Sequence, residues 1–192
     1  MKPIRILAFA GSARSGSWNR KLLRIAVRQA REQGAEVTEV DLGELNLPMF
    51  DEDLESDQGA PEGAKRLKQM MFDADGLLIA CPEYNSSITP LLKNAIDWAS
   101  RVEEGESPLQ AYQGKVAALV SASPGGLGGL RGLVHVRSIL GNIGVLVVPE
   151  QVAVGNATSA FNETGDKLTG ETARSMLDKT VRRLIQVCGQ IS

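Results

Sequence analysis

A polar loop in the middle of the chain carries the side chains best suited to bind a ligand. It runs from Pro82 to Ser87 and holds a carboxylate, a phenol, an amide and two hydroxyls. An ordinary turn needs only Gly, Asn or Pro, whereas this set can hydrogen-bond a flat polar heterocycle. The composition of the loop therefore favours a ligand site over a passive turn.

A second candidate loop, Gly11 to Asn19, is rich in glycine and hydroxyl side chains and leads into a predicted helix. Such a loop offers free backbone N–H groups, the positive end of a helix dipole and hydroxyl donors, all of which suit a phosphate. Arg14 adds a charge-assisted donor, worth about 1.5–3 kcal/mol. Ser17 or Asn19 could instead simply cap the helix, and that role is compatible with phosphate binding.

Two common nucleotide motifs do not fit this loop. A phosphate-binding P-loop needs Lys directly after its second glycine, but Gly16 is followed by Ser17 and Trp18. The Gly-x-Gly-x-x-Gly spacing of dinucleotide-binding folds is also missing. The loop therefore suits a single phosphomonoester.

The elements around these loops alternate between strand and helix. Apolar runs predict four strands, at Ile4–Ala10, Gly76–Cys81, Val116–Val120 and Val145–Val148. Alternation of apolar and polar residues predicts a fifth, nearer a sheet edge, at Glu36–Leu42. Apolar residues at helical spacing predict a helix after each strand, one opened by Pro61 and one by Pro90, with Thr89 as its cap. The long connection from Gly43 to Ala60 has an apolar first half, which we expect to pack on another element.

This alternation predicts an α/β fold, a flavodoxin-like three-layer sandwich around a five-stranded parallel sheet of order 2-1-3-4-5. Right-handed crossovers and the need to cover both faces of the sheet lead to that architecture. The order places a ligand cleft at the carboxyl ends of the first, third and fourth strands. Those ends carry the two loops above and a glycine-rich third loop, Ser121 to Gly129.

Three residue types that often mark function have structural interpretations here. His135, the only histidine, lies on a predicted helix with no Cys, Asp or Glu at ligand spacing, so we expect no metal site and place it away from the three loops. Trp98 adjoins the apolar face of its helix and is expected in the core or an interface. Cys81 and Cys188 fall in a buried strand and an amphipathic helix, as reduced thiols would.

Size and charge restrict the function classes. A chain of 192 residues fits one domain, residues 1–192, and 21 basic against 23 acidic residues create no field that would attract nucleic acid or a membrane surface. The apolar run near the N-terminus is too short for a signal peptide, and no run is long enough to span a bilayer. We expect a cytoplasmic protein with neither nucleic-acid nor membrane partners.

Three motifs in chain order resemble the NADPH-dependent FMN reductase family, which includes quinone, azo-dye and chromate reductases of flavodoxin-like fold. The motifs are Gly11-Ser12-x-Arg14-x-x-Ser17-x-Asn19, then Pro82-Glu83-Tyr84-Asn85-x-Ser87 with Leu92-Lys93-Asn94-Ala95-x-Asp97-Trp98, then Gly125-Gly126-x-Gly128-Gly129-x-Arg131. None is decisive alone, but each stands at the end of the appropriate strand. The resemblance covers nearly the whole chain.

The resemblance implies which residues contact the cofactor. The FMN phosphate would lie on Ser12, Arg14, Ser17 and Asn19. The isoalloxazine ring would lie against Pro82, Glu83, Tyr84, Asn85 and Ser86. Ser123, Gly125 and Gly126 would border its other edge, where backbone N–H groups can stabilise the reduced ring.

The resemblance also implies the activity. FMN would accept a hydride from NADPH, with NADH possible, and pass electrons to a quinone, free flavin, azo compound or metal oxyanion such as chromate. The alternatives are a flavodoxin-type electron carrier and a flavin-binding regulator without turnover. Family members are usually dimers or tetramers, so a homodimer or homotetramer is expected. No side chain is expected to act as an essential acid or base, since tyrosine ordinarily ionises near pH ~10 and His135 is placed elsewhere.

Overall fold

A parallel five-stranded sheet forms the centre of the protein in the computed structural model, which describes residues 2–191. Its strands are β1 (Arg5–Ala10), β2 (Glu36–Val40), β3 (Gly76–Ala80), β6 (Val116–Ala122) and β7 (Leu146–Val154). A separate two-stranded hairpin is formed by β4 (Glu83–Tyr84) and β5 (Ser87–Ile88). The sheet order is β2-β1-β3-β6-β7, which confirms the predicted order once the hairpin strands are set aside.

Helices cover both faces of this sheet. They are α1 (Trp18–Glu32), α2 (Glu52–Gln58), α3 (Glu62–Asp73), α4 (Pro90–Ala99), α5 (Leu130–Asn142), α6 (Ala157–Ala160) and α7 (Glu171–Ile191), with a 3₁₀ turn at Leu42–Leu45. Successive residues of β1 point to opposite faces, so Ile6 packs with α1 and α7 while Leu7 packs with α3, α4 and α5. The result is the predicted three-layer sandwich.

The starts of α1 and α4 follow the capping signals in the sequence. The Thr89 hydroxyl accepts a hydrogen bond from the Leu92 N–H at 3.3 Å, and Pro90 occupies the first position of α4. Ser17 caps α1 in the same way, accepting from the Arg20 N–H at 3.5 Å. Both helices therefore point their N-termini at the edge of the sheet where the three loops lie.

The connection after β2 differs from the prediction in having structure of its own. The second predicted strand ends at Val40, two residues early, and the 3₁₀ turn and α2 occupy much of the stretch from Gly43 to Ala60. Its apolar first half packs as expected, because the Trp98 indole and the Asn94 amide both donate to the Pro48 carbonyl at 2.8 Å. Trp98 is fully buried, which confirms its core position.

The fifth sheet strand is longer than predicted. It continues past Val148 to Val154 because the sheet absorbs Pro149 and Glu150 in an irregularity, with Ala117 paired to Val147 and Leu119 to Gln151. Because Pro149 and Glu150 interrupt the apolar run, the sequence pattern did not predict this extension. Its end matters for the site, since the Val154 carbonyl accepts a hydrogen bond from the Ser123 N–H at 3.0 Å.

Both cysteines are buried thiols, as expected. Burial raises the pKa of the Cys81 thiol, so this group stays protonated and unreactive. Among residues 2–191, no helix combines the length and hydropathy needed to cross a bilayer.

Candidate functional site

The three loops predicted to bind a ligand converge on one cleft with about 410 Å³ of empty space. The cleft is lined by Ser12, Arg14, Ser17, Trp18, Asn19, Pro82, Glu83, Tyr84, Ala122, Ser123 and Pro124. Eight of the twelve predicted cofactor-contacting residues are in this set. The other four, Asn85, Ser86, Gly125 and Gly126, belong to the same second and third loops.

The first loop presents hydrogen-bond donors that the protein itself does not use. Within the described chain, the backbone N–H groups of residues 12–16 have no acceptor, and the Arg14 guanidinium forms neither an ion pair nor a hydrogen bond. Ser12 and Ser17 are buried at the base of the loop, beside the N-terminus of α1. Unused donors in a loop that lines the cleft, next to a helix N-terminus, are suited to bind an anion.

Asn19 uses its side chain to connect the first and third loops. Its Nδ2 donates to the Ala122 carbonyl at 2.8 Å, and its Oδ1 accepts from the Ala122 N–H at 3.0 Å. The amide is 4% exposed, so these bonds form away from water. Asn19 therefore lines the cleft, but its side-chain amide is engaged by Ala122 and serves to position the cleft walls.

Two further buried hydrogen bonds connect the bases of the loops. The Thr89 hydroxyl donates to the Gly11 carbonyl at 2.7 Å, and the Ser121 hydroxyl donates to the Cys81 carbonyl at 2.7 Å. Gly11 is required by this close approach, because a Cβ there would lie 2.9 Å from the Leu92 Cβ. The cleft is thus preorganised by contacts between its own walls.

The second loop folds into the β4–β5 hairpin. Its two turn residues, Asn85 and Ser86, have φ angles of 50° and 68°, the left-handed pair that a two-residue hairpin turn of type I′ requires. Left-handed backbone is costly for serine, by roughly 1–2 kcal/mol. Strain of this kind tends to occur at functional sites, and the strained turn directly follows Tyr84, which lines the cleft.

The Glu83 carboxylate turns from the cleft toward α5. Its Oε1 accepts from Arg131 Nη2 at 2.8 Å and its Oε2 from the Gly132 N–H at 3.0 Å. Burial opposes ionisation of Glu83, but these hydrogen bonds and the Arg131 charge outweigh it and lower the pKa of the carboxyl. Glu83 is therefore a poor proton donor.

His135 does not lie where the sequence placed it. Its Nδ1 is 3.0 Å from the Ser87 hydroxyl, so it contacts the second loop, and the expectation of a distant histidine is wrong. The sequence did not predict the Arg131–Glu83 and His135–Ser87 contacts, because only the apolar residues of this helix entered the prediction. The available signal was that Arg131 and His135 lie one turn apart on the same helix.

The third loop is supported from behind by the segment after β7. The Asn156 N–H donates to the Gly125 carbonyl at 3.2 Å, and the Ala157 N–H donates to the Ser123 carbonyl at 3.0 Å. A Cβ at Gly126 would meet no atom within 4 Å, so the loop leaves open space on its outer side. The Gly126 N–H has no acceptor within residues 2–191 and is available to a ligand.

A larger groove, with about 680 Å³ of empty space, lies beside the first loop near β2. It contains the ion pair between Arg20 and Asp41, whose atoms are 2.8 Å apart, and it does not include the second or third loop. Its larger volume does not make this groove the better candidate site, because the three donor-bearing loops do not converge on it. The smaller cleft has the three strand ends where open α/β sheets bind ligands.

Comparison with known proteins identifies the family. A family model described as NADPH-dependent FMN reductase matches residues 4–159. The chain belongs to this family. It is therefore related to oxidoreductases, in accord with the enzyme interpretation and not with the electron-carrier or regulator alternatives.

Individual relatives agree with this membership. The chain is 36% identical over 183 residues to an NAD(P)H-dependent FMN reductase of Pseudomonas aeruginosa, covering 94% of this chain and 93% of that protein. It is 32% identical over 172 residues to a 2-hydroxy-1,4-benzoquinone reductase of a Burkholderia species, covering 89% of each. The flavoenzyme NAD(P)H:(acceptor) oxidoreductase FerB of Paracoccus denitrificans has a similar structure, with a TM-score of 0.82, 28% identity and 98% coverage of both chains.

Proposed function

We propose that this protein uses bound FMN to pass electrons from NADPH, or from NADH, to a small-molecule acceptor. The single observation that carries the proposal is the convergence of the donor-rich first loop, the strained hairpin and the glycine loop on one cleft. When bound, FMN supplies the hydride-accepting and electron-donating chemistry. The chain supplies position, hydrogen-bond donors and access for two substrates in turn.

The phosphate end of the cleft is the first loop. Ser12, Arg14 and Ser17 hold the phosphate together with the unused N–H groups of residues 12–16. Asn19 supports this end through its bonds to Ala122. A donor set of this size and charge fits a phosphomonoester, since it combines one guanidinium with several neutral donors.

The ring end of the cleft is formed by the second and third loops. Pro82 and Tyr84 give it apolar surface, and Asn85 and Ser86 present polar groups at the hairpin tip. Glu83 contributes its backbone here while its carboxylate is held by α5. Ser123, Gly125 and Gly126 border the opposite edge, where the Gly126 N–H can donate to a negatively charged ring.

Three side chains in or next to the cleft, those of Glu83, Cys81 and Asn19, are poorly suited to essential acid–base catalysis. Glu83 is ion-paired with a lowered pKa, and the Cys81 thiol is buried with a raised pKa. Asn19 is fully engaged as a structural bridge. We therefore assign the residues binding and orienting roles.

Quinones are the acceptor class we place first. The Burkholderia relative is named for reduction of a benzoquinone, and several plant relatives are named NADPH:quinone or NAD(P)H:quinone oxidoreductases. Free flavins, azo compounds and metal oxyanions such as chromate are further acceptors to compare. Reaction at an open cleft beside the exposed Tyr84 ring would accept planar molecules of varied shape.

We further propose a cytoplasmic homodimer or homotetramer. The exposed apolar side chains Leu127, Leu130 and Val134 extend along α5 and its N-terminal approach, next to the hairpin. Such a row of apolar groups beside a cleft is a reason to expect burial against another subunit. The buried thiols suit a reducing compartment.

Anaerobic spectroscopy tests the proposed function. Holoprotein with FMN should lose its yellow absorbance on addition of NADPH and regain it with a quinone or oxygen. A carrier would stay oxidised with NADPH alone and become reduced only through another redox protein. A protein that binds no FMN, or whose bound FMN never responds to either nicotinamide, would contradict the proposal.

A further inference from the structure

The β4–β5 hairpin needs support from outside itself. Each of its strands has two residues, and a two-stranded hairpin is at best marginally stable alone. Its turn also carries two consecutive residues with left-handed backbone. The buried bonds from Thr89 and Ser121 hold the bases of the loops at Gly11 and Cys81, short of the hairpin tip.

Helix α5 supplies that support through a set of contacts that we call the hairpin clamp: Arg131, Gly132 and His135 on α5, with Glu83 and Ser87 on the hairpin. Arg131 donates from Nε and Nη2 to Glu83 Oε1 at 3.0 and 2.8 Å, and the Gly132 N–H donates to Oε2 at 3.0 Å. One turn later, His135 Nδ1 lies 3.0 Å from the Ser87 hydroxyl. The clamp therefore contacts both strands.

Close approach of helix and hairpin explains the glycine in the clamp. A Cβ at Gly132 would lie 3.3 Å from the Ser87 carbonyl oxygen and 3.4 Å from the Glu83 Cβ. A side chain at this position would therefore require the Ser87 carbonyl or the helix to shift by a few tenths of an ångström. Glycine at position 132 therefore allows α5 to lie close to the hairpin.

We propose that Arg131 and His135 are positioning residues for the ring end of the flavin site. From α5 they set the position of the hairpin, and the hairpin in turn contacts the isoalloxazine ring. This inference rests on the proposed function. It assigns two residues outside the cleft, Arg131 and His135, to the support of the flavin site. It also gives the Glu83 carboxylate a role, which is to hold the hairpin to α5.

A positioning role at the ring end predicts a specific pattern of flavin affinities. Riboflavin and FMN share the isoalloxazine ring but differ in the phosphate, so loosening the hairpin should weaken both flavins by the same factor. Loss of a phosphate contact should weaken FMN alone. The ratio of the two dissociation constants therefore separates the ring end of the site from the phosphate end.

A double-mutant cycle on Glu83→Gln and Arg131→Ala tests the clamp in the full chain. We expect each single variant to raise the dissociation constants of FMN and riboflavin by the same factor, about three- to tenfold, because each loses a charge-assisted bond. The double variant should be no worse than the poorer single variant. Arg131→Lys should recover part of the loss, since lysine keeps the charge without the two-pronged geometry.

Arg137→Ala is the matched control. Arg137 lies on the same helix but donates to the Val147 carbonyl and the Gln151 side chain, away from the hairpin. It should leave both flavin dissociation constants within twofold of wild type. Hydrogen exchange of the apoprotein should show faster exchange at residues 84–88 in the clamp variants and wild-type exchange there in Arg137→Ala.

The outcomes separate the clamp from the proposed function. Faster hairpin exchange with unchanged binding of both flavins would overturn the positioning role, and so would a loss confined to FMN. Unchanged hairpin exchange would overturn the clamp itself. Wild-type protein that binds neither flavin would contradict the proposed function, while the exchange comparison would still confirm or overturn the clamp.

Discussion

His135 Nδ1 lies 3.0 Å from the hydroxyl oxygen of Ser87, although 48 residues separate the two in the chain. This pair joins α5 to the hairpin beside the candidate flavin cleft. The only histidine of the protein therefore contacts the hairpin through the Ser87 side chain, and it does not line the cleft. That geometry distinguishes a positioning role from a proton-transfer role.

His135→Ala and Tyr84→Phe should each slow NADPH-dependent bleaching of bound FMN by less than about tenfold. Removal of an essential general acid or base typically costs ~10²–10⁴. His135 is outside the cleft lining, and a phenylalanine preserves the surface that Tyr84 gives the ring. Stopped-flow absorbance at saturating NADPH measures this step. A thousandfold loss in either variant, with FMN bound and the fold intact, would reveal a proton transfer assigned to the wrong group.

Arg14→Ala combined with Ser17→Ala should weaken FMN binding by about 10- to 100-fold, because the phosphate loses charge-assisted and hydroxyl donors. Riboflavin binding should stay nearly unchanged. Arg24→Ala is a suitable control, since Arg24 is an exposed arginine of α1 that lines the groove beyond the first loop. Fluorescence titration of the apoprotein with each flavin measures the effect, and equal losses for both would refute the phosphate assignment.

Asn19→Ala should destabilise the protein by about 2–4 kcal/mol, because it leaves the buried N–H and carbonyl of Ala122 without partners. Urea unfolding of the apoprotein measures this cost without any ligand. Asn162→Ala, at an exposed turn that hydrogen-bonds within itself, provides an asparagine control. Wild-type stability in Asn19→Ala, accompanied by weaker FMN binding, would show that the amide serves the ligand and not the fold.

The holoprotein should be a dimer or larger at tens of micromolar. Leu130→Asp with Val134→Asp should shift it toward monomer, since both side chains are exposed apolar groups beside the hairpin. Met176→Asp changes an exposed apolar side chain on α7 and should leave the assembly unaltered. Light scattering coupled to size exclusion measures the mass. A wild-type monomer with full activity would contradict the proposed assembly.

Local patterns along the chain were enough to predict the layers, the strand order and the three loops. Apolar runs, helical spacing and the caps at Ser17 and Thr89 are local signals, and a parallel sheet with right-handed crossovers leaves few ways to arrange them. In that arrangement the carboxyl ends of the first, third and fourth strands lie next to one another. That is why eight predicted contact residues line a single cleft.

The directions of the polar side chains, in contrast, depend on contacts between distant parts of the chain. Asn19 was expected to face a phosphate but bridges to Ala122, 103 residues away, and Glu83 faces Arg131 across 48 residues. The bulge that extends β7 and the left-handed turn at Asn85 and Ser86 likewise depend on pairing partners elsewhere in the chain. Side-chain direction follows from backbone twist and from what packs opposite, and neither is encoded within the few residues of a loop motif.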